Sequence, residues 1–186
     1  MKVETSEIGI YVPPGDFYID PDESVDTAVI THAHADHCRG GHAVYHCSTP
    51  SAPLIRSRVG DVTLRQHDYG ESFTIGDATV SFYPAGHIRG SAQIRVSVDD
   101  TVMTVTGDYK RMEDPTCTAF EPVPCDVLVT EATFGLPIYH WRDPEEVVEE
   151  IFEWWQQNSA DGVASVLFCY SLGKAQRILA SLTSYT

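Results

Sequence analysis

Residues 29 to 41 read VITHAHADHCRGG, which places three histidines and one aspartate within six residues, directly behind an apolar run: His32, His34, Asp36 and His37. Imidazole nitrogen and carboxylate oxygen are donors suited to zinc, and manganese or iron can use the same set. A lone histidine after a strand is ordinarily a core or surface residue. Four ligand-type side chains in one H-x-H-x-D-H loop need another explanation. His32 and His34, two apart, can turn the same way and grip one ion, while Asp36 and His37 turn toward a second. Ala33 and Ala35 leave room for the ions, and the CRGG that follows lets the chain turn away.

Further donors are spread along the chain. His87 is the candidate third nitrogen for the first ion, and Asp108 the candidate carboxylate between the two. A bridging carboxylate holds two cations roughly 3.5–4 Å apart, the spacing that clamps both the attacking and the leaving oxygen of a phosphoryl displacement. Water on such an ion has a pKa of about 7, so hydroxide is available at neutral pH. Asp20 is read as the group that orients a ligand histidine, although IDPDES is also good turn chemistry. Glu131 joins the set by position. The remaining histidines, His42, His46, His67 and His140, are read as structural or exposed, since the helical spacing of His42 and His46 says little alone. Cys38 and Cys47 lie near the cluster and are read as small buried residues.

The elements that must position these residues are strands. The runs DTAVI, ATVSFY, QIRVSV, TVMTVT, DVLVT and ASVLFCY are apolar and β-branched, separated by Gly, Pro and Asp signals. Asp99-Asp100 between two of them predicts a tight hairpin. Asp20 closes DFYI, His32 follows AVI, His87 follows VSFYPAG, Asp108 follows VMTVTG and Glu131 follows DVLVT, so all five fall just past a strand end. Strand ends in an α/β fold share one crevice, where residues distant in sequence converge. Two later segments predict helices. In DPEEVVEEIFEWWQQN, Asp143 is the N-cap, Pro144 the first helical residue and Glu146 the partner of a capping box. Val147, Val148, Ile151, Phe152 and Trp155 form its apolar stripe. GKAQRILASL repeats the stripe with Ala175, Ile178, Leu179 and Leu182. A layered α/β domain with helices on the outer face of its sheet is expected, as one compact unit.

At 186 residues the chain can bury a core, and no run reaches membrane-span length. The N-terminus lacks a secretory layout, so the cytoplasm is expected. Five cysteines without CxxC spacing argue against a disulfide framework. A net charge of −15 with no basic patch weighs against a nucleic-acid binder. Two bound divalent cations would offset part of that charge locally. Lys110, Arg111, Lys174 and Arg177 are the candidates for phosphate contacts, the last two near a helix N-terminus.

With these residues in place, the chain resembles the metallo-β-lactamase superfamily, whose signature loop is HxHxDH. More specifically it is similar to the β-CASP nucleases, and among them to the bacterial ligase-associated DNA damage response exonucleases. FYIDP, VITHAHADH, PAGHIRGSAQ, TGDYKRMEDPTC, FEPVPCDVLVTEATFGLP and YSLGKAQRIL carry the likeness over nearly the whole chain. TEATFG narrows it to the β-CASP branch, which has an acidic residue there, matched by Glu131. The resemblance implies an α/β fold, the metallo-β-lactamase-like αββα sandwich. It also implies two zinc ions and hydrolysis of a nucleic-acid phosphodiester. Asp20, His32, His34, Asp36, His37, His87, Asp108 and Glu131 match the family's motif positions. The metal ligands are then His32, His34, Asp36, His37, His87 and Asp108, with Asp36, Glu131 and Asp20 as the catalytic carboxylates.

Family members continue with an inserted clamping domain and returning strands that bring further histidines, and none follows Thr186. Residues 1–186 are therefore expected to be the N-terminal portion of an incomplete sandwich. An exposed sheet edge with self-association is expected to accompany it. The expected function is a metal-dependent DNA exonuclease acting on single-stranded ends in repair, with DNA ligase and helicase as associates implied by the resemblance. An RNA-processing nuclease similar to the mRNA 3′-end enzymes is the first alternative. A metal-binding or scaffold form without turnover is the second, and a small-molecule hydrolase of the same superfamily the third.

Overall fold

A computed structural model describes residues 4–185. The chain divides into two compact units, Met1–Glu131 and Ala132–Thr186. In the first, β1 (Glu4–Ser6), β2 (Gly9–Val12), β3 (Phe17–Ile19), β4 (Thr27–Val29), β5 (Val44–Ser48) and β6 (Leu64–His67) form one sheet in sequential order. The pairs β1–β2 and β2–β3 are antiparallel, and from β3 onward the strands run parallel. Helix α1 (Ala52–Val59) makes the crossover from β5 to β6 that a parallel pair requires. The second sheet has the order β11-β10-β9-β8-β7, with β7 (Ser72–Ile75), β8 (Ala78–Pro84), β9 (Ala92–Val98), β10 (Thr101–Val105) and β11 (Val127–Val129). Its first four strands form an antiparallel meander, and β11 adds parallel to β10.

One core holds the two sheets face to face. Val12, Phe17, Ile19 and Val29 from the first sheet meet Val80, Phe82, Ile94, Val96, Met103 and Val105 from the second. Alternation along each strand explains the choice, because every second side chain points to the same face. The opposite face of the first sheet is also covered: Ala28, Tyr45 and Cys47 are fully buried without joining that core, as are Ala52 and Ile55 of α1. This two-sheet α/β arrangement agrees with the sandwich the resemblance implies.

Five of the six predicted strands form, and Asp99-Asp100 makes the two-residue turn of the β9–β10 hairpin, with Asp99 at φ 49°. ASVLFCY is the exception. Residues 164–170 form no strand, and Phe168 and Tyr170 stand exposed. Strand propensity needs a paired backbone to act on, and no strand is present among the described residues of the second unit. His46 lies on β5, so the spacing of His42 and His46 has no helix behind it.

The second unit carries α2 (Pro144–Ala160) and α3 (Lys174–Leu182). Asp143 caps α2 by accepting the N–H of Glu145, Pro144 is its first residue, and Glu146 lies 3.9 Å from Arg142. Gln176 reaches back to the N–H of Gly173 at the start of α3. The two helices pack on each other, with Phe152 against Tyr185 just past α3. Leu179 departs from the predicted stripe, being 66% exposed. Among the described residues, no helix is long and apolar enough to cross a membrane.

Candidate metal centre

Every candidate carboxylate and imidazole of the first unit arrives on a loop leaving the C-terminal end of a strand. Asp20 follows β3, the H-x-H-x-D-H loop follows β4, His87 follows β8, Asp108 follows β10 and Glu131 follows β11. The loops are tied to one another through backbone. Ala92 N–H donates to the Thr31 carbonyl at 2.8 Å, and the Ser48 hydroxyl donates to the Gly90 carbonyl at 2.6 Å. Ser91 Oγ accepts the N–H groups of both His87 and Ile88, which fixes the His87 loop. Two glycines permit the approach. Gly107, at φ +53°, leaves no room for a side chain, since a Cβ there would lie 2.6 Å from the Thr31 Cβ. Gly90, at φ +80°, would place one 2.4 Å from the Ser51 nitrogen.

His32, His34, His87 and Asp108 converge, each offering one donor atom, and these atoms all lie within 4.8 Å of one another. His32 Nε2 is 3.0 Å from His34 Nδ1, which is 3.2 Å from His87 Nε2. Tetrahedral zinc with Zn–N bonds of about 2.0–2.1 Å sets its nitrogens about 3.3 Å apart, so the imidazole spacing fits such an ion. Asp108 faces two ways. Its Oδ2 lies 3.5 Å from His87 Nε2 and 3.9 Å from His32 Nε2, while Oδ1 lies 3.4 Å from His37 Nε2. Asp36, largely exposed, brings Oδ2 to 3.8 Å from the same His37 nitrogen. His37 Nε2 thus lies near two carboxylates, and neither His37 nor Asp36 belongs to the converging group of four.

Asp20 does not join the donor atoms. It accepts His37 Nδ1–H at 2.8 Å, the Thr31 N–H at 2.8 Å, and the Thr31 hydroxyl. A carboxylate behind a ligand imidazole fixes ring orientation and raises basicity. Glu131 accepts the Tyr109 N–H at 3.4 Å, which sets it beside Asp108. Asp20, Asp36, His37, Asp108 and Glu131 line one cleft, together with Ile10 and Ile19.

The electrostatics of the metal-free centre divide its imidazoles, with His37 protonated and His32 and His87 neutral. Burial pushes the pKa of His37 down, but hydrogen bonds with Asp108 and Asp20 outweigh it and raise the value to about 10. The His37 hydrogen bond in turn lowers Asp108 to about 2. His32 moves the other way, well below the usual imidazole value, because it is buried and faces His37, His87 and His34. His87 is lowered by burial as well. His32 and His87 are therefore held as neutral rings with a lone pair to offer, while Asp108, between them and His37, keeps its charge.

The other sequence candidates fall elsewhere. Cys38 and Cys47 are buried, with burial raising both thiols to about 12, and they lie outside the converging group. Lys110 is tied to the buried carboxylate of Asp114 at 3.2 Å, and Arg111 is exposed. Lys174 and Arg177 occupy the first turn of α3 in the second unit. His46 and His67 form a separate pair, 3.1 Å between ring nitrogens. Two participants escaped the sequence reading: Thr31, whose hydroxyl links Asp20 to His32, and Arg58 of α1, which donates to the Ala33 carbonyl inside the loop. The only signal for Thr31 was its place directly before the first histidine.

No family model matches the chain. Among curated proteins it is similar to one named "Probable DNA ligase" from Opitutus terrae, 32% identical over 94% of this chain and 17% of that protein. An "RNase J-like protein" from Methanocaldococcus jannaschii is 27% identical over 88% of this chain and 45% of its own length. "Endoribonuclease ysh1" from Emericella nidulans is 32% identical over 63% of this chain and 14% of that protein. The chain spans less than half the length of each of these relatives.

Proposed function

We infer, from the chain's resemblance to the β-CASP nucleases of the metallo-β-lactamase superfamily, that it is a metal-dependent phosphodiesterase acting on nucleic acid. The observation that carries this reading is Asp108, with one carboxylate oxygen toward the imidazoles of His32 and His87 and the other toward His37. Two divalent cations, with zinc preferred and manganese or iron as alternatives, would be held by His32, His34 and His87 on one side and by Asp36 and His37 on the other, with Asp108 between. Bound there, they supply a hydroxide nucleophile near neutral pH and positive charge for phosphoryl oxygens.

This chain's own residues do the remaining work. Asp20 holds His37 Nδ1–H and so keeps Nε2 directed into the cleft. Asp108, lowered by its hydrogen bond with His37, keeps its charge beside it. Glu131, which accepts the Tyr109 N–H, is the candidate to position the group that returns a proton to the leaving oxygen. Exposed Arg111 is the candidate for a phosphate contact in the first unit, whereas Lys110 is engaged by Asp114.

The finer reading is a cytoplasmic DNA exonuclease that trims single-stranded ends in repair, with DNA ligase and helicase as associates. The protein matched over the largest share of this chain among these relatives bears a DNA-ligase name, which supports it. RNA processing is the second reading, favoured by the ribonuclease names of the other two. The test is cleavage of matched single-stranded DNA and RNA, labelled at either end, with Zn²⁺ or Mn²⁺. Progressive shortening of DNA from one end, abolished by EDTA, is expected. Faster loss of RNA moves the assignment to the second reading. A chain that binds metal and cleaves neither is a binding protein, and the enzyme reading fails.

A further inference from the structure

We infer that Thr31 is a positioning residue for this centre: its hydroxyl relays the orientation of Asp20 to His32 and leaves the His32 Nε2 lone pair directed at the metal position. The inference deepens the metal-centre reading above and rests on it.

Hydrogen-bond valence carries the argument. An ionised carboxylate only accepts, and a hydroxyl has one proton to give. The Thr31 hydroxyl lies within hydrogen-bond distance of Asp20 Oδ2, so its proton is committed there. What Thr31 Oγ1 has left is acceptor capacity. His32 Nδ1, 3.1 Å away, must then be the donor. A neutral imidazole carries one N–H, so Nε2 is bare, and Nε2 is the atom that faces His34, His87 and Asp108. The same Asp20 oxygen takes His37 Nδ1–H directly. One carboxylate therefore sets the rings at both metal positions, His37 by contact and His32 through a hydroxyl.

The surroundings keep this relay in register. Thr31 is 1% exposed and His32 fully buried, which keeps bulk solvent from the contact between them. The Thr31 N–H donates to Asp20 Oδ1, and the Thr31 carbonyl accepts from Ala92. Its Cβ stands against Gly107, next to Asp108. Three ligand-bearing loops thus meet at this residue.

The experiment compares the parent chain with Thr31→Val, which keeps the shape and removes the hydroxyl, and Thr31→Ser, which restores it. Cobalt(II) binding is read by its visible absorption, folding by thermal melting, and the His32 tautomer by ¹⁵N shifts of the metal-free parent. Thr31→Val is expected to melt as a folded protein and to bind the first cobalt ion at least tenfold more weakly, within the range for partners standing behind a ligand. Thr31→Ser should stay within threefold of the parent, and the parent should carry the His32 proton on Nδ1. A folded Thr31→Val that binds cobalt as tightly as the parent overturns the proposal. So does a proton on His32 Nε2, a measurement that decides even if Thr31→Val fails to fold. A parent that takes up no cobalt at all defeats the metal-centre reading instead, while its tautomer still judges Thr31.

Discussion

Single side chains in this centre are coupled through charge, so removing one changes the state of others. Asp108→Ala takes away both oxygens that face the two imidazole sets. Loss of at least one bound ion per chain by metal analysis, and of cleavage by at least a hundredfold, is expected; full activity in that variant would refute the bridging role. His37 gives a second prediction, for the metal-free chain in EDTA. Its folded pKa is raised from 6.5 to about 10, so the folded state holds a proton that the unfolded state has lost in that window. Stability from this group is complete below about pH 6.5 and disappears as pH rises through 10, a change on the order of a few kcal/mol. Melting temperature should fall across that range, and Asp20→Asn, which removes one of the two carboxylates, should flatten the fall. An identical slope in the two proteins would show that the Asp20 contact does not set the His37 value.

At the level of strands, His46 of β5 and His67 of β6 join neighbouring parallel strands through a ring-to-ring hydrogen bond, with Phe73 of β7 stacked on His67. His46 is 3% exposed, and burial lowers its pKa to about 4, with His67 and Arg65 adding to the effect. Between about pH 4 and 6.5 the unfolded chain binds a proton that the folded chain refuses, so stability falls as pH drops through that window, by up to about 3 kcal/mol. His46→Leu should reduce the acid sensitivity relative to the parent in thermal melts; an unchanged pH dependence would mean that this pair does not report on folding. Much of the element pattern was legible, because buried β-branched runs bounded by turn residues announce strands such as β8, β9 and β10. The edge strands β6 and β7 were not, nor was the inner strand β5. LRQH and SFTI mix polar residues with apolar ones and have one open side, so β6 and β7 carry little signal of their own. ASVLFCY failed for the opposite reason, having the propensity but no paired neighbour. The site was legible as residue types, since strand ends supply convergence. The Thr31 hydroxyl was not, because its meaning depends on which oxygen it meets across two loops.

For the molecule as a whole, two opposing terms act on its surface. The formal charge of −15 repels other copies, while a large apolar area remains open. In the first unit, β11 ends its sheet and Leu128 is 59% exposed; in the second, Phe168 is 96% exposed. Asp126 and Glu131 flank β11, and acidic residues beside an open edge oppose strand-to-strand pairing with another chain. Repulsion of this kind is screened over about 10 Å at 0.1 M salt and about 3 Å at 1 M, whereas apolar contact is not weakened by salt. The chain should therefore sediment mainly as a monomer near about 0.05 M NaCl and shift to larger species near about 1 M. Leu128→Lys should suppress that shift if the edge of β11 is the contact, and Phe168→Lys if the second unit supplies it. A parent chain that stays monomeric at the higher salt would show that charge repulsion is not what keeps these apolar surfaces apart.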